Sequence, residues 1–98
     1  MRTIGLFSED GDDYVGRIEI LSFQHRAAIV ATHGGDDEGT PEYWVFAKAV
    51  KLGEANKSLD EHGKYCLAVM LDDPCFTQPV RCLLLDDGYG DHRLVWKR

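Results

Sequence analysis

The sequence is poor in features that would announce a function. No apolar run approaches the roughly 20 residues a membrane-spanning helix needs; the runs present are short, such as Cys82 to Leu85. The start, Met1-Arg2-Thr3-Ile4-Gly5, lacks the apolar core of a secretion signal, so the expected location is the cytoplasm and no membrane association is expected. Cysteine occurs three times, as Cys66, Cys75 and Cys82, with no Cys-x-x-Cys. An odd count without that spacing argues against a disulfide framework and a structural zinc site, and leaves three reduced thiols.

Basic residues are also scarce. Seventeen acids stand against 11 bases, a net charge of −6, and no run of Lys or Arg marks a patch. A phosphate backbone is bound mainly by Lys and Arg, so direct nucleic-acid binding is disfavoured and a protein partner with a basic surface is favoured. Catalytic motifs are missing too. His25, His33, His62 and His92 form no His-x-x-x-His pair, and there is no nucleophile elbow. The acid pairs Asp12-Asp13, Asp36-Asp37, Asp72-Asp73 and Asp86-Asp87 do not fit a calcium loop and read as turn formers. No catalytic residue, metal site or cofactor is expected.

What is present is a series of short strands. Apolar residues make up 44% of 98 residues, enough for one core, and 1–98 reads as a single β domain. Alternation and turn residues place strands at Thr3 to Ser8, Tyr14 to Leu21, His25 to Thr32, Tyr43 to Val50, Lys64 to Leu71, Val80 to Leu85 and Arg93 to Lys97. Gly53 to Gly63 reads as the longest connection, with at most one short helical turn around Ser58-Leu59-Asp60-Glu61. Seven strands with mostly short turns predict an all-β fold: a small antiparallel meander, as a curved sheet or a partly open barrel. The core candidates are Tyr14, Ile18, Ile20, Val45, Leu67, Val69, Leu71, Leu94 and Trp96.

Leu71-Asp72-Asp73-Pro74-Cys75-Phe76, followed by Pro79-Val80, resembles the proteobacterial family called domain of unknown function seven hundred and thirty-six. Thr3-Ile4-Gly5 with Phe7, Tyr43 with Val45-Phe46, Gly53, Gly63 and Leu94-Val95-Trp96-Lys97-Arg98 also match its pattern. The resemblance implies a protein of about this length, often carried on plasmids and other mobile elements, and implies no activity. The family usually has Gly-Ala-Ala-Trp-Lys-Lys where this chain has Gly53-Glu54-Ala55-Asn56-Lys57-Ser58. An aromatic between lysines could stack on a base and touch a phosphate; here the aromatic and one lysine are replaced. Ala68 and Met70 likewise stand where the family has Ser and Lys, and Trp44 where it has a polar residue.

Two groups of residues are therefore candidates for contact with a partner. In an up-and-down meander alternate loops share an end, which would gather residues 9–13, 34–42 and 72–79. Those stretches hold Glu9, Asp10, Asp12, Asp13, Asp36, Asp37, Glu38, Glu42, Asp72 and Asp73, and no Lys or Arg. The second group is Trp44, outward if Val45 is inward, packed on Met70 to make an apolar patch. An exposed tryptophan is a frequent interface anchor. The reading is a non-enzymatic protein-binding module with an acidic surface. If the mobile-element association carries over, it would inhibit a host nucleic-acid-handling or defence machine, as anti-CRISPR or anti-restriction proteins do. The rivals are a single-stranded nucleic-acid-binding protein and a structural protein or homodimer.

Overall fold

The computed structural model describes residues 2–21, 23–33 and 39–97. These contain eight strands: β1 (Arg2–Asp10), β2 (Asp13–Ile20), β3 (Phe23–Ala31), β4 (Tyr43–Ala47), β5 (Val50–Leu59), β6 (Tyr65–Leu71), β7 (Val80–Asp86) and β8 (Asp91–Trp96). Each pairs antiparallel with the next, and β1 also pairs with β8, so the meander closes into a barrel. Closure removes the unpaired edges that an open sheet would present.

The period-2 pattern decides what lies inside. Phe7, Ile18, Ile29, Val45, Leu71, Leu84 and Leu94 are fully buried, with Ala55, Val69 and Cys82 beside them. An eight-strand barrel is just wide enough for side chains to fill, and burying each large one contributes about 1.5–3 kcal/mol. Charges sit at mid-strand on the outer wall, as at Arg17, Arg26 and Glu54. An apolar interior inside a charged wall is the reverse of a lipid-facing barrel.

Most expected core residues are buried, with Tyr14 and Ile20 packed half-buried against the cluster. Trp96 is a correction: the last paired residue of β8, at the barrel end, it remains 37% exposed.

The larger correction is β5. The stretch expected as the longest connection, Gly53 to Gly63 with its helical turn, is strand as far as Leu59: β5 runs ten residues from Val50, and 60–64 form the turn into β6. The strand is joined to β4 by a two-residue turn, Lys48-Ala49, in which both residues have positive φ (50° and 63°). That is the backbone of the favoured hairpin turn, which ordinarily takes Asn-Gly or Asp-Gly. Lys-Ala gives no such signal, so the turn is silent in the sequence.

One extra strand reverses the end from which every later loop leaves. The β1–β2, β3–β4, β5–β6 and β7–β8 connections share one end; the β2–β3, β4–β5 and β6–β7 connections share the other. Residues 72–79 therefore lie opposite the 9–13 turn, contrary to expectation. There the loop folds over the barrel: Asp72 N–H donates to the Leu52 carbonyl at 2.7 Å, and the Phe76 ring packs 5.9 Å from Phe23. One end is thus plugged by Phe23, Phe76 and Val80.

Candidate binding site at the barrel mouth

The other end is open. Its inward positions are Glu9 on β1, Tyr14 on β2, Tyr43 on β4, Lys57 on β5, Asp86 on β7 and His92 on β8. The register brings them together: Glu9 pairs with Tyr14, and His92 with both Phe7 and Asp86. Two adjoining lobes, of about 440 and 530 Å³, meet over Glu9, Tyr14, Tyr43 and Lys57.

His92 is the one buried charged or polar side chain among the described residues, 7% exposed. Its Nε2 lies 3.4 Å from Glu9 Oε1, and its ring meets Tyr14 edge-on at 5.0 Å. Tyr43 tilts against Tyr14 at 6.1 Å. Burial pushes the Tyr14 hydroxyl above its ordinary value of 10, and Tyr43, Glu9 and Asp86 add to the rise. Lys57, which lines both lobes, stands 4.0 Å from Glu42 Oε2, and its backbone N–H donates to Glu42 Oε1 at 3.0 Å. The mouth offers tyrosine faces, a buried imidazole and the carboxylates of Glu9, Asp12, Glu42 and Asp86. Such a lining suits a cation, which ring faces and carboxylates both attract.

Around it stand Asp10, Asp12, Asp13, Asp60, Glu61, Asp87 and Asp91. Several have work in the backbone. Asp60 Oδ1 accepts from the His62 and Lys64 amides, and Asp87 Oδ1 from Tyr89. Asp86 Oδ1 accepts from Gly88 at 2.8 Å. Backbone amides at Asp60 (Lys64 first) and Asp86 (Gly88 first) hold both carboxyls below the usual 3.8.

The expected site residues fall in four places. Asp12 is exposed on this rim, its Oδ2 3.9 Å from His33 Nε2. Asp13 is on the rim but accepts the Ala31 amide at 2.9 Å, so it holds β2 to β3. Asp36, Asp37 and Glu38 lie outside the described residues. Trp44 and Met70 do face outward, yet they form no common patch. In the register Glu54 of β5 pairs with both and stands between them, and Lys51 Nζ sits 4.1 Å over the Trp44 ring. Asp60, Glu61, Asp87 and Asp91 join the rim in place of Asp72 and Asp73. Counting β5 as a strand is the step that would have found them.

The three cysteines are free thiols. Among the described residues, no three His, Cys, Asp or Glu side chains converge as metal ligands.

The fold and mouth define a small closed up-and-down β-barrel, plugged at one end and open, acidic and tyrosine-lined at the other. The chain belongs to the family described as protein of unknown function (DUF736), which matches it over residues 3–98. No curated protein and no solved structure matches it.

Proposed function

We propose that this protein is a non-enzymatic binding module whose open, acidic end docks on a basic surface of a partner protein. The carrying observation is the mouth: a concave opening lined by Tyr14, Tyr43, Glu9, Asp86 and His92, ringed by exposed carboxylates. An Arg or Lys of the partner would enter between the tyrosines, exchanging Lys57 for itself beside Glu42. The rim carboxylates would steer the encounter. The mobile-element association of the family favours a partner in a host nucleic-acid-handling or defence machine, whose anion-binding surface the acidic end would cover.

The test uses residues of the rim that hold no backbone amide. Asp10, Asp12 and Glu61 reversed to lysine leave the Asp13, Asp60 and Asp87 turns intact. Bead-bound wild-type and reversed chains are each challenged with extract of the native host. A basic protein retained by the wild type and lost by the reversed chain supports the reading. An identical set of retained proteins contradicts it.

A further inference from the structure

The barrel register collects cations that the sequence scatters. Outward on the wall, Leu6 pairs with Arg93 of β8 and with Arg17 of β2, and Arg17 pairs with Arg26 of β3. Arg17, Arg26 and Lys48 line one shallow groove of about 610 Å³ with Val15, Ala28 and Phe46. The neighbouring row pairs Val15 with Ala28, Ala28 with Phe46, and Phe46 with Lys51. Trp44, two residues from Phe46, completes this face with Lys51 Nζ over its ring. Four cations, Arg17, Arg26, Lys48 and Lys51, and two aromatic rings thus share the β2–β3–β4–β5 wall, with Arg93 further round the barrel.

Barrel stability does not account for this grouping. Like charges directly across a ladder destabilise it, yet Arg17 faces Arg26. Glu19 takes only Arg17 Nε, at 2.8 Å. Arg93, Arg26 and Lys48 have no carboxylate within 4 Å among the described residues, while acids crowd the open end. From β2 to β5 the wall spans three inter-strand steps, about 14 Å at the usual strand spacing. A groove of interleaved arginines, lysines and half-buried rings on a small barrel matches what a single strand requires: charge for the phosphates and faces for the bases.

We infer that this wall binds single-stranded nucleic acid, with Arg17, Arg26, Lys48 and Lys51 on phosphates and Phe46 and Trp44 under bases. This goes beyond the acidic-end reading, since it uses another face and a partner of opposite charge. The net charge of −6 does not oppose it locally, because that charge is concentrated at the mouth. A second copy, offering its acidic mouth to this wall, is the competing occupant.

The experiment is fluorescence anisotropy of a labelled oligothymidylate, about 12 nucleotides long, titrated with the intact chain. Neutralising three or four phosphates predicts binding that weakens about 20- to 50-fold between roughly 50 and 200 mM salt. Arg17→Glu with Arg26→Glu should weaken it at least tenfold, and Phe46→Ala about tenfold. Asp10, Asp12 and Glu61 reversed to lysine should not weaken it. Unchanged melting of each variant keeps folding apart from binding. No binding at low salt overturns the inference, as does binding that the arginine reversals leave unchanged. A duplex of equal length bound as tightly as the single strand overturns the role of the rings. Salt-sensitive self-association abolished by the same arginine reversals, without oligonucleotide binding, assigns the wall to a second copy instead.

Discussion

At the residue scale, backbone strain and thiol burial each make a measurable claim. Ala49 holds a left-handed φ of 63°, a conformation that costs an L-residue about 1–2 kcal/mol. Glycine there relieves the strain but loses about 0.5–1 kcal/mol to the greater freedom of the unfolded chain. Ala49→Gly should therefore raise stability by about 0.5–1 kcal/mol, read as a higher urea midpoint at unchanged slope. Gly16 has the opposite constraint. A Cβ there would strike the Leu6 carbonyl oxygen and come within 2.7 Å of Phe7 Cα, so β1 and β2 would have to part. Gly16→Ala should cost about 2–3 kcal/mol in the same experiment. Among the thiols, burial pushes Cys82 up to about 12 and raises Cys66, while Cys75 is exposed. An aromatic disulfide reagent near neutral pH should count one thiol in the native protein and three after unfolding; two or more reacting rapidly in the native state would contradict the burial of Cys66 and Cys82.

At the element scale, what could be read from the sequence followed turn chemistry. Asp72-Asp73-Pro74 and Asp86-Asp87-Gly88 announce their turns, and the strands beside them were expected nearly where they are. The pairing of β6 with β7 from Leu71–Val80 inward follows directly. The β4–β5 turn had no glycine, asparagine or aspartate to mark it, and Gly53 and Gly63 made β5 look like a loop. Gly53 is in fact a strand position: a Cβ there would strike the Met70 carbonyl oxygen. Without β5 every later loop falls at the opposite end, which is why the sequence alone groups Asp72 and Asp73 with the 9–13 turn. The turns themselves should respond to acid. The Asp60 and Asp86 carboxyls titrate below 3.8 in the folded chain. Their contribution is therefore present above the unfolded value and lost as pH falls through the folded one. Replacing both by asparagine should flatten the loss of thermal stability below about pH 4; an acid limb as steep as the wild type's would contradict the caps.

At the scale of the whole molecule, closure sorts charge and aromatic surface into separate places. Glu9, Asp86 and His92 are distant in sequence from Tyr43 and Lys57, and only the closed register makes them neighbours. Arg17, Arg26, Lys48 and Lys51 form no run along the chain, and only strand pairing builds the wall they share. The net charge therefore describes neither face: the mouth is far more acidic than −6 over the surface suggests, and one wall is basic. Placing both kinds of surface on one rigid frame would let a partner of either charge meet only its own face. Amide chemical shifts of the nitrogen-15-labelled chain, followed while oligothymidylate is added, test this separation directly. The account predicts shifts at Arg17, Arg26, Phe46, Lys48 and Lys51, with Tyr14, Tyr43 and His92 unmoved. Shifts centred on the mouth, or none on the wall at low salt, would contradict it.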